Sequence, residues 1–398
     1  MGIFDKFKKN GNKISGVLDL ERLGNEVPFF DDSFRKRVER CWAQFVNEES
    51  KIRALIDQRA DGETVAAELG RLLSPAFAET FAEIGFNGRK YDLILNLEGN
   101  WARLFSRAYF KAHAPREVLT HWNILLGRQS NPSVDQLGLV LGGNRIEAKD
   151  IRIWTAWEGK SVKLSIYCEN MLPLIRDDEN SAYAITYILL DQAVGELAEM
   201  KYISDIAFLT APSNGTSLTL GELLSDFVSH LSLTPQQLCD EKTYLDSFSV
   251  YRMQPDEDVA DGLRKDVYTG STNYLPLLND FWNGRTTTID QLAKDGITAG
   301  YIYFSVDFAK TPELGAKILD LRDSVVAKLE EAAPDAFRFI GGATGTHYVY
   351  IDFLAYDLKD TLLGVVSHTL DLFEKAGITW AGYHPFLLDG KTVTLFEE

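Results

Sequence analysis

Apolar residues recur at helical spacing from Phe34 onward. Val38, Trp42, Phe45, Ile52, Leu55 and Ile56 fall on one stripe, and Asp32 or Ser33 precedes them as an acceptor for the first free amides. The pattern predicts a long amphipathic helix. A second helix, from about Glu63 to Leu73, is stopped at Ser74-Pro75, because a residue before proline is turned away from helical geometry. The period then changes. Tyr91 to Gly99 (YDLILNLEG) and His121 to Gln129 (HWNILLGRQ) read as strands on either side of a helix from Trp101 to Ala114, which Pro115 closes. Ile151 to Cys168 reads as an antiparallel hairpin turning at Glu158-Gly159-Lys160. An apolar helix from Asn180 or Ser181 through Leu197 and a strand from Ile203 to Leu209 complete a mixed sheet that closes near Thr210.

Ala211 to Thr219 (APSNGTSLT) has the composition of a connector. After it, Thr219 and Glu222 have capping-box spacing before a narrow stripe of Leu220, Leu223, Leu224, Phe227, Val228 and Leu231, and Thr234-Pro235 marks another helix start. SFSVYRM, near residue 250, is compatible with a strand, and LRKDVYTGSTNYLPLL reads as a polar turn entering a short helix. The last hundred residues alternate cleanly: GYIYFSVDF, a helix from Pro312 to about Ala332, FRFIGG, HYVYIDFLAY, a helix from Leu358 to Lys375, and WAGYHPF. That order, βαββαβ, is the ferredoxin-like split βαβ pattern. The expected fold is therefore α+β: two α/β sandwich modules, the C-terminal one ferredoxin-like, behind a helical N-terminal region. The divisions fall at 1–85 (helical), 86–212 (mixed α/β), 213–299 (helical and loop connector) and 300–398 (βαββαβ).

The order of the segments LILNLEG, HAPREVLTHWNILLGRQ, LLDQAVGE, LRKDVYTGST and GGATGTHYVYID resembles that of a family of bacterial proteins known only as a domain of unknown function, from about Tyr91 to the C-terminus. In element order and acidity, the terminal βαββαβ unit is similar to the family of protein regulator B of ribonuclease E activity. That resemblance implies an acidic, inhibitor-type adaptor. Neither resemblance supplies a catalytic residue.

Charge narrows the choice of partner. Of 398 residues, 58 are acidic and 41 basic, a net charge of −17, which opposes duplex nucleic-acid binding and favours a basic protein partner. Cys41, Cys168 and Cys239 are scattered without a CxxC or Cys/His pairing, as suits a reducing compartment. Met1 to Asn10 carries charge every few positions and so lacks an export signal. With no long apolar run, the expectation is a cytoplasmic bacterial protein without a transmembrane segment. Ile3, Phe4 and Phe7 alternate with Lys6, Lys8 and Lys9, a pattern that suits a solubilising end or a weak contact with an anionic membrane surface.

Motifs for chemistry are sparse. Gly341, Gly342 and Gly345 in GGATGTH precede a strand and lack the Lys-Ser/Thr of a phosphate loop, so they read as a hairpin turn. Glu222, Asp226 and His230 share a helix face at metal-binding spacing, yet they lie opposite the Leu/Phe stripe and read as a solvated face. Asp256, Glu257, Asp258 and Asp261 lack the glycine register and closing glutamate of a calcium loop, and form a candidate acidic docking patch instead. Arg264, Asp266, Tyr268, Thr272 and Asn273 form a candidate polar recognition loop. No catalytic residue, cofactor or metal is assigned. The expected function is a non-catalytic binding or regulatory protein, of inhibitor or immunity type, that engages a basic macromolecule; the alternative is a small-ligand binder or enzyme with a pocket between its two modules.

Overall fold

The computed structural model describes residues 32–141, 144–256, 258–305 and 314–397. The Lys/Phe stretch 1–9 and Glu257 of the acidic run lie outside them. The protein is a mixed α+β chain in two units, one of Cys41–Ser247 and the other of Phe248–Glu398 with residues through Arg40.

In the unit Cys41–Ser247, the long helix Phe34–Asp57 supplies buried Trp42 and Phe45. Trp42 stacks on Phe110 at 4.1 Å and donates its indole N–H to that residue's carbonyl at 2.9 Å. Trp122 donates likewise to the Glu49 carboxylate at 2.8 Å. Both large rings are thus buried with their polar atom paired. Strands β1 (Ala82–Phe86), β2 (Tyr91–Leu95) and β3 (Trp122–Leu126) form one sheet, with β1 and β2 antiparallel and β3 parallel to β2. A separate hairpin joins β4 (Gly138–Leu141) to β5 (Asn144–Glu147). Then β6 (Arg152–Glu158), β7 (Ser161–Tyr167) and β8 (Ile203–Phe208) repeat the first arrangement.

The single mixed sheet expected here is therefore two small ones. Each hairpin leaves one edge of its second strand open, and a helical crossover returns the chain to that edge as a parallel strand. The hairpin partner β1 escaped the sequence reading because Gly85 and the exposed Phe86 break its alternation.

In the second unit, β9 (Ser249–Arg252), β10 (Val267–Thr272), β11 (Thr298–Ser305), β12 (Phe337–Gly345), β13 (Tyr348–Ala355), β14 (Trp380–Pro385) and β15 (Val393–Glu397) form one antiparallel sheet. Its order is β15-β14-β11-β13-β12-β10-β9. The inner four strands take the 4-1-3-2 order of a ferredoxin-like βαββαβ unit. β9 and β10 fall in the stretch expected to be a connector. Polar and glycine-containing, VYTGST does not alternate like a strand, yet its glycine is what lets it pack closely: a Cβ at Gly270 would strike the Tyr251 ring.

One sheet face is covered by the helices Leu314–Ala332 and Leu358–His368, with Ile302, Phe304, Val325, Leu329, Ile351, Phe353, Leu362 and Val365 in the core between. The opposite face carries Tyr301, Tyr303, Tyr348, Tyr350 and Asp352, which share it because strand side chains repeat every two residues. It too is covered, by residues 258–266 and by Phe281 of the helix Leu275–Trp282. Of the two cap candidates, Asp32 and Ser33, the latter donates its hydroxyl to Asp357 at 2.7 Å, and Arg35 pairs with Asp360 at 2.6 Å.

The glycines of GGATGTH lie within β12, and the turn itself is Thr346-His347. Close approach is what requires Gly342 and Gly345, while Gly341 also has a positive φ of 156°. A Cβ at Gly345 would collide with the Asp266 carboxylate, and one at Gly342 would lie 2.6 Å from the Tyr350 carbonyl. We expect Gly345→Ala to displace Asp266 and lower stability by about 2–4 kcal/mol in urea unfolding, whereas Gly315→Ala, in open space on a helix, leaves stability unchanged or raises it.

Candidate functional site

Arg264 occupies the centre of the second unit's aromatic face. Its side chain is fully buried and binds Asp352 of β13 through both oxygens, at 2.5 and 3.1 Å. Nη2 also donates to the Tyr251 hydroxyl at 2.9 Å, and the guanidinium lies 4.9 Å from the Tyr350 ring centre and 5.3 Å from that of Tyr301. The bidentate geometry suits a planar guanidinium, and the electron-rich ring faces add to the compensation of its charge. Burial pushes the Asp352 carboxyl up while the guanidinium draws it back down; Arg264 itself stays charged, because arginine does not give up its proton in proteins. The Arg264 backbone has φ 64°, a left-handed conformation that costs a non-glycine residue on the order of 1–2 kcal/mol. The side-chain contacts hold it there.

The described residues just before it, 258–263 and Asp256, are tied to the same face. Tyr301 donates to the Gly262 carbonyl at 2.9 Å and Tyr348 to the Ala260 carbonyl at 3.3 Å. Asp256 N–H donates to the Lys265 carbonyl at 2.8 Å, and Leu263 N–H to the Asp261 carboxylate at 2.8 Å. Asp256, Asp258 and Asp261 remain exposed, with Asp261 also paired to Lys265 at 2.9 Å. The loop is therefore pinned from beneath and acidic on its outer side.

The proposed recognition residues do not form one loop: Tyr268 and Thr272 lie on β10, with Arg264 and Asp266 before it and Asn273 after it, and Arg264, Asp266 and Thr272 are buried. Asp266 is buried; one of its oxygens accepts from the Tyr350 hydroxyl at 2.6 Å, the other from the N–H groups of His347 and Tyr348, both at 3.0 Å. It thereby closes the β12–β13 turn. Thr272 donates to the Ile340 carbonyl at 3.1 Å and accepts from Tyr274 N–H at 2.9 Å, and Asn273 N–H donates to the same Ile340 carbonyl at 3.0 Å. Only Tyr268 of the five is exposed. Sequence reading placed Arg264 and Asp266 correctly in one loop and missed their partners. A signal for Asp352 was present, since a lone carboxylate inside HYVYIDFLAY requires a buried counter-charge.

Sequence reading also missed a buried acidic group in the unit Cys41–Ser247. Asp191 on the helix Glu179–Val194 and Glu196 and Glu199 on the helix Glu196–Tyr202 are buried on either side of the Gly195 break. Glu196 accepts from the N–H groups of Leu97, Glu98 and Arg128, at 2.9, 2.6 and 3.1 Å, and Asp191 pairs with Arg128 at 2.9 Å. Arg128 also meets Glu83 and Glu98. Burial, reinforced by the Glu196 charge, pushes Asp191 up to about 7; burial, with Asp191 and Glu196, pushes Glu199 up to about 8. The run LLDQAVGELAE hides these acids inside an apolar helix pattern.

The remaining candidates are occupied separately. Asp226 accepts from the Trp157 indole at 2.9 Å, His230 stacks on that ring at 4.1 Å and meets the Gly159 carbonyl, and Glu222 closes a capping box with Thr219. Among the described residues, no group of His, Cys, Asp and Glu is placed to hold a metal ion. Burial pushes the Cys41 thiol up to about 12 and raises that of Cys168 as well, so neither is a thiolate nucleophile at neutral pH. No helix among the described residues is long and apolar enough to cross a membrane. No family model, curated protein or solved structure matches the chain.

Removing one member of the buried pair leaves an uncompensated charge. We expect Arg264→Met to cost about 3–5 kcal/mol in urea unfolding, and the double variant Arg264→Met/Asp352→Leu to recover most of it. Equal loss in both variants would contradict the pairing argument. For the acidic group, the folded unit retains protons that the unfolded chain releases above its ordinary carboxylate value near 4.5. Stability therefore falls as pH rises from about 4.5 to 8 and levels off above that. We expect Glu199→Gln to be more stable than wild type at pH 8 by on the order of 2–4 kcal/mol and nearly equal to it at pH 5, measured by denaturant titration at both values.

Proposed function

We propose that the chain is a non-catalytic binding protein that engages a basic macromolecular partner through Asp256, Asp258 and Asp261. The observation that carries this reading is the combination found in one loop, exposed carboxylates over a backbone anchored by Tyr301, Tyr348 and the Arg264–Asp352 pair. A loop ordered before it meets its partner avoids part of the entropy lost on association. Exposed carboxylates attract a cation from a distance without the desolvation that offsets a buried pair. The net charge of −17 adds a long-range field of the same sign. The inward bonding of Arg264 to Asp352 and Tyr251, and of Asp266 to Tyr350 and the β12–β13 turn, favours this reading over one in which those side chains contact a ligand directly. A regulatory role, in which the acidic surface covers a basic patch on the partner, follows from the same chemistry.

The test compares full-length protein with Asp256→Asn/Asp258→Asn/Asp261→Asn as bait in lysate of its native cell, across a salt titration. We expect a stoichiometric basic partner that wild type retains at low salt and loses at moderate salt, and that the variant holds at least tenfold more weakly while melting at the wild-type temperature. An identical partner set for both baits would reject the acidic loop as the docking surface.

A further inference from the structure

β9 is the outermost strand of the seven-stranded sheet and pairs only with β10. An open edge is a template for another strand, and native proteins usually cover it, bend it away or place proline on it. Ser249 to Arg252 carry none of these; only the strand's four-residue length and the charge of Arg252 blunt the edge. Met253 N–H points inward, donating to the Tyr268 carbonyl at 3.1 Å. By the alternation of an antiparallel ladder, the N–H and C=O groups of Val250 and Arg252 therefore point to the open side.

The side chains add an apolar strip. Tyr251 points toward Arg264, so Val250 lies on the opposite face with Phe248, which stacks on Phe339 at 5.7 Å. Val250 is 74% exposed, the highest value for a large hydrophobic among the described residues. Beyond Arg252 the chain stays beside β10's lead-in, through the Asp256 N–H bond to the Lys265 carbonyl. Asp256 thus lies in line with the edge, and Asp258 just past it. Pro255 has no N–H and ends the ladder there.

We propose that β9 binds an extended segment of the basic partner as an eighth strand; this rests on the acidic-loop reading above and specifies how that partner is held. The segment pairs its main chain with Val250 and Arg252, sets an apolar or β-branched residue against Val250 and Phe248, and brings lysine or arginine to Asp256 and Asp258. Arg252 fixes the register, because a basic residue directly opposite it is repelled, so the positive charges fall at the acidic end only.

A random nonapeptide library selected on the full-length protein tests this directly. We expect enrichment of alternating β-branched or aromatic residues with Lys or Arg clustered at one end. In fluorescence anisotropy, an enriched peptide should lose at least tenfold in affinity on N-methylation at alternate residues, on Val250→Pro, and on the triple Asn substitution of Asp256, Asp258 and Asp261. Val250→Lys serves as a second edge variant should Val250→Pro fail to fold. If the triple Asn variant weakens binding while the edge variants and N-methylation do not, strand addition is overturned and the acidic-loop reading stands. If the edge variants weaken binding and the triple Asn variant does not, the acidic reading falls and the basic-partner proposal with it. No enriched pattern, or a native mass showing a dimer that Val250→Lys separates, also overturns the proposal, the latter by making a second copy of the chain the occupant.

Discussion

A guanidinium withdrawn from water must have its charge answered where it lies, and Asp352 answers that of Arg264. Much of the second unit is organised around this requirement. The carboxylate stands on a central strand, so the loop carrying Arg264 is drawn across the middle of the sheet. Tyrosines 251, 301 and 350 gather round the cation, and two of them use their hydroxyls to bind the chain on either side of it. The left-handed backbone at Arg264 persists because the side chain is fixed at its far end. Hydrophobic burial holds the helix-covered face together; an ion pair, backed by aromatic rings, holds the other.

This division explains which parts were legible in the sequence. Helices at 34–57 and 220–231 announced themselves by stripe and cap, that at 62–73 by its Ser-Pro stop, and the βαββαβ run by its change of period and its prolines. Each of those signals is local. β9 and β10 belong to the sheet through pairings made at a distance and through glycines that admit a neighbour's side chain, and VYTGST carries little local sign of that. The two small sheets at 82–126 and 152–208 were read as one because the alternation of strands does not say where a sheet stops.

At the candidate site, residue types were visible and their orientation was not. Arg264 and Asp266 stood out as polar groups in a glycine-containing loop, the composition of a binding surface and equally of a buried brace. Which of the two it is depends on Asp352 and Tyr350, far away in sequence and on a strand that reads as apolar. Asp191, Glu196 and Glu199 were hidden for the opposite reason, since their neighbours made an unremarkable apolar helix of them. In both places the decisive fact is what surrounds a charge.

The distance between partners also bears on how the chain is made. Arg264 and Asp352 are 88 residues apart, and Ser33 waits for Asp357 across 324. At roughly 5–20 residues per second on the ribosome, Arg264 exists for about 4–18 seconds before its counter-ion has been synthesised. During that interval the β9–β10 hairpin has no charge to fold against. The continuous stretch 41–247 has all its own strands by then, whereas the acidic loop cannot take its final form until the β13 residues Tyr348, Tyr350 and Asp352 have been made.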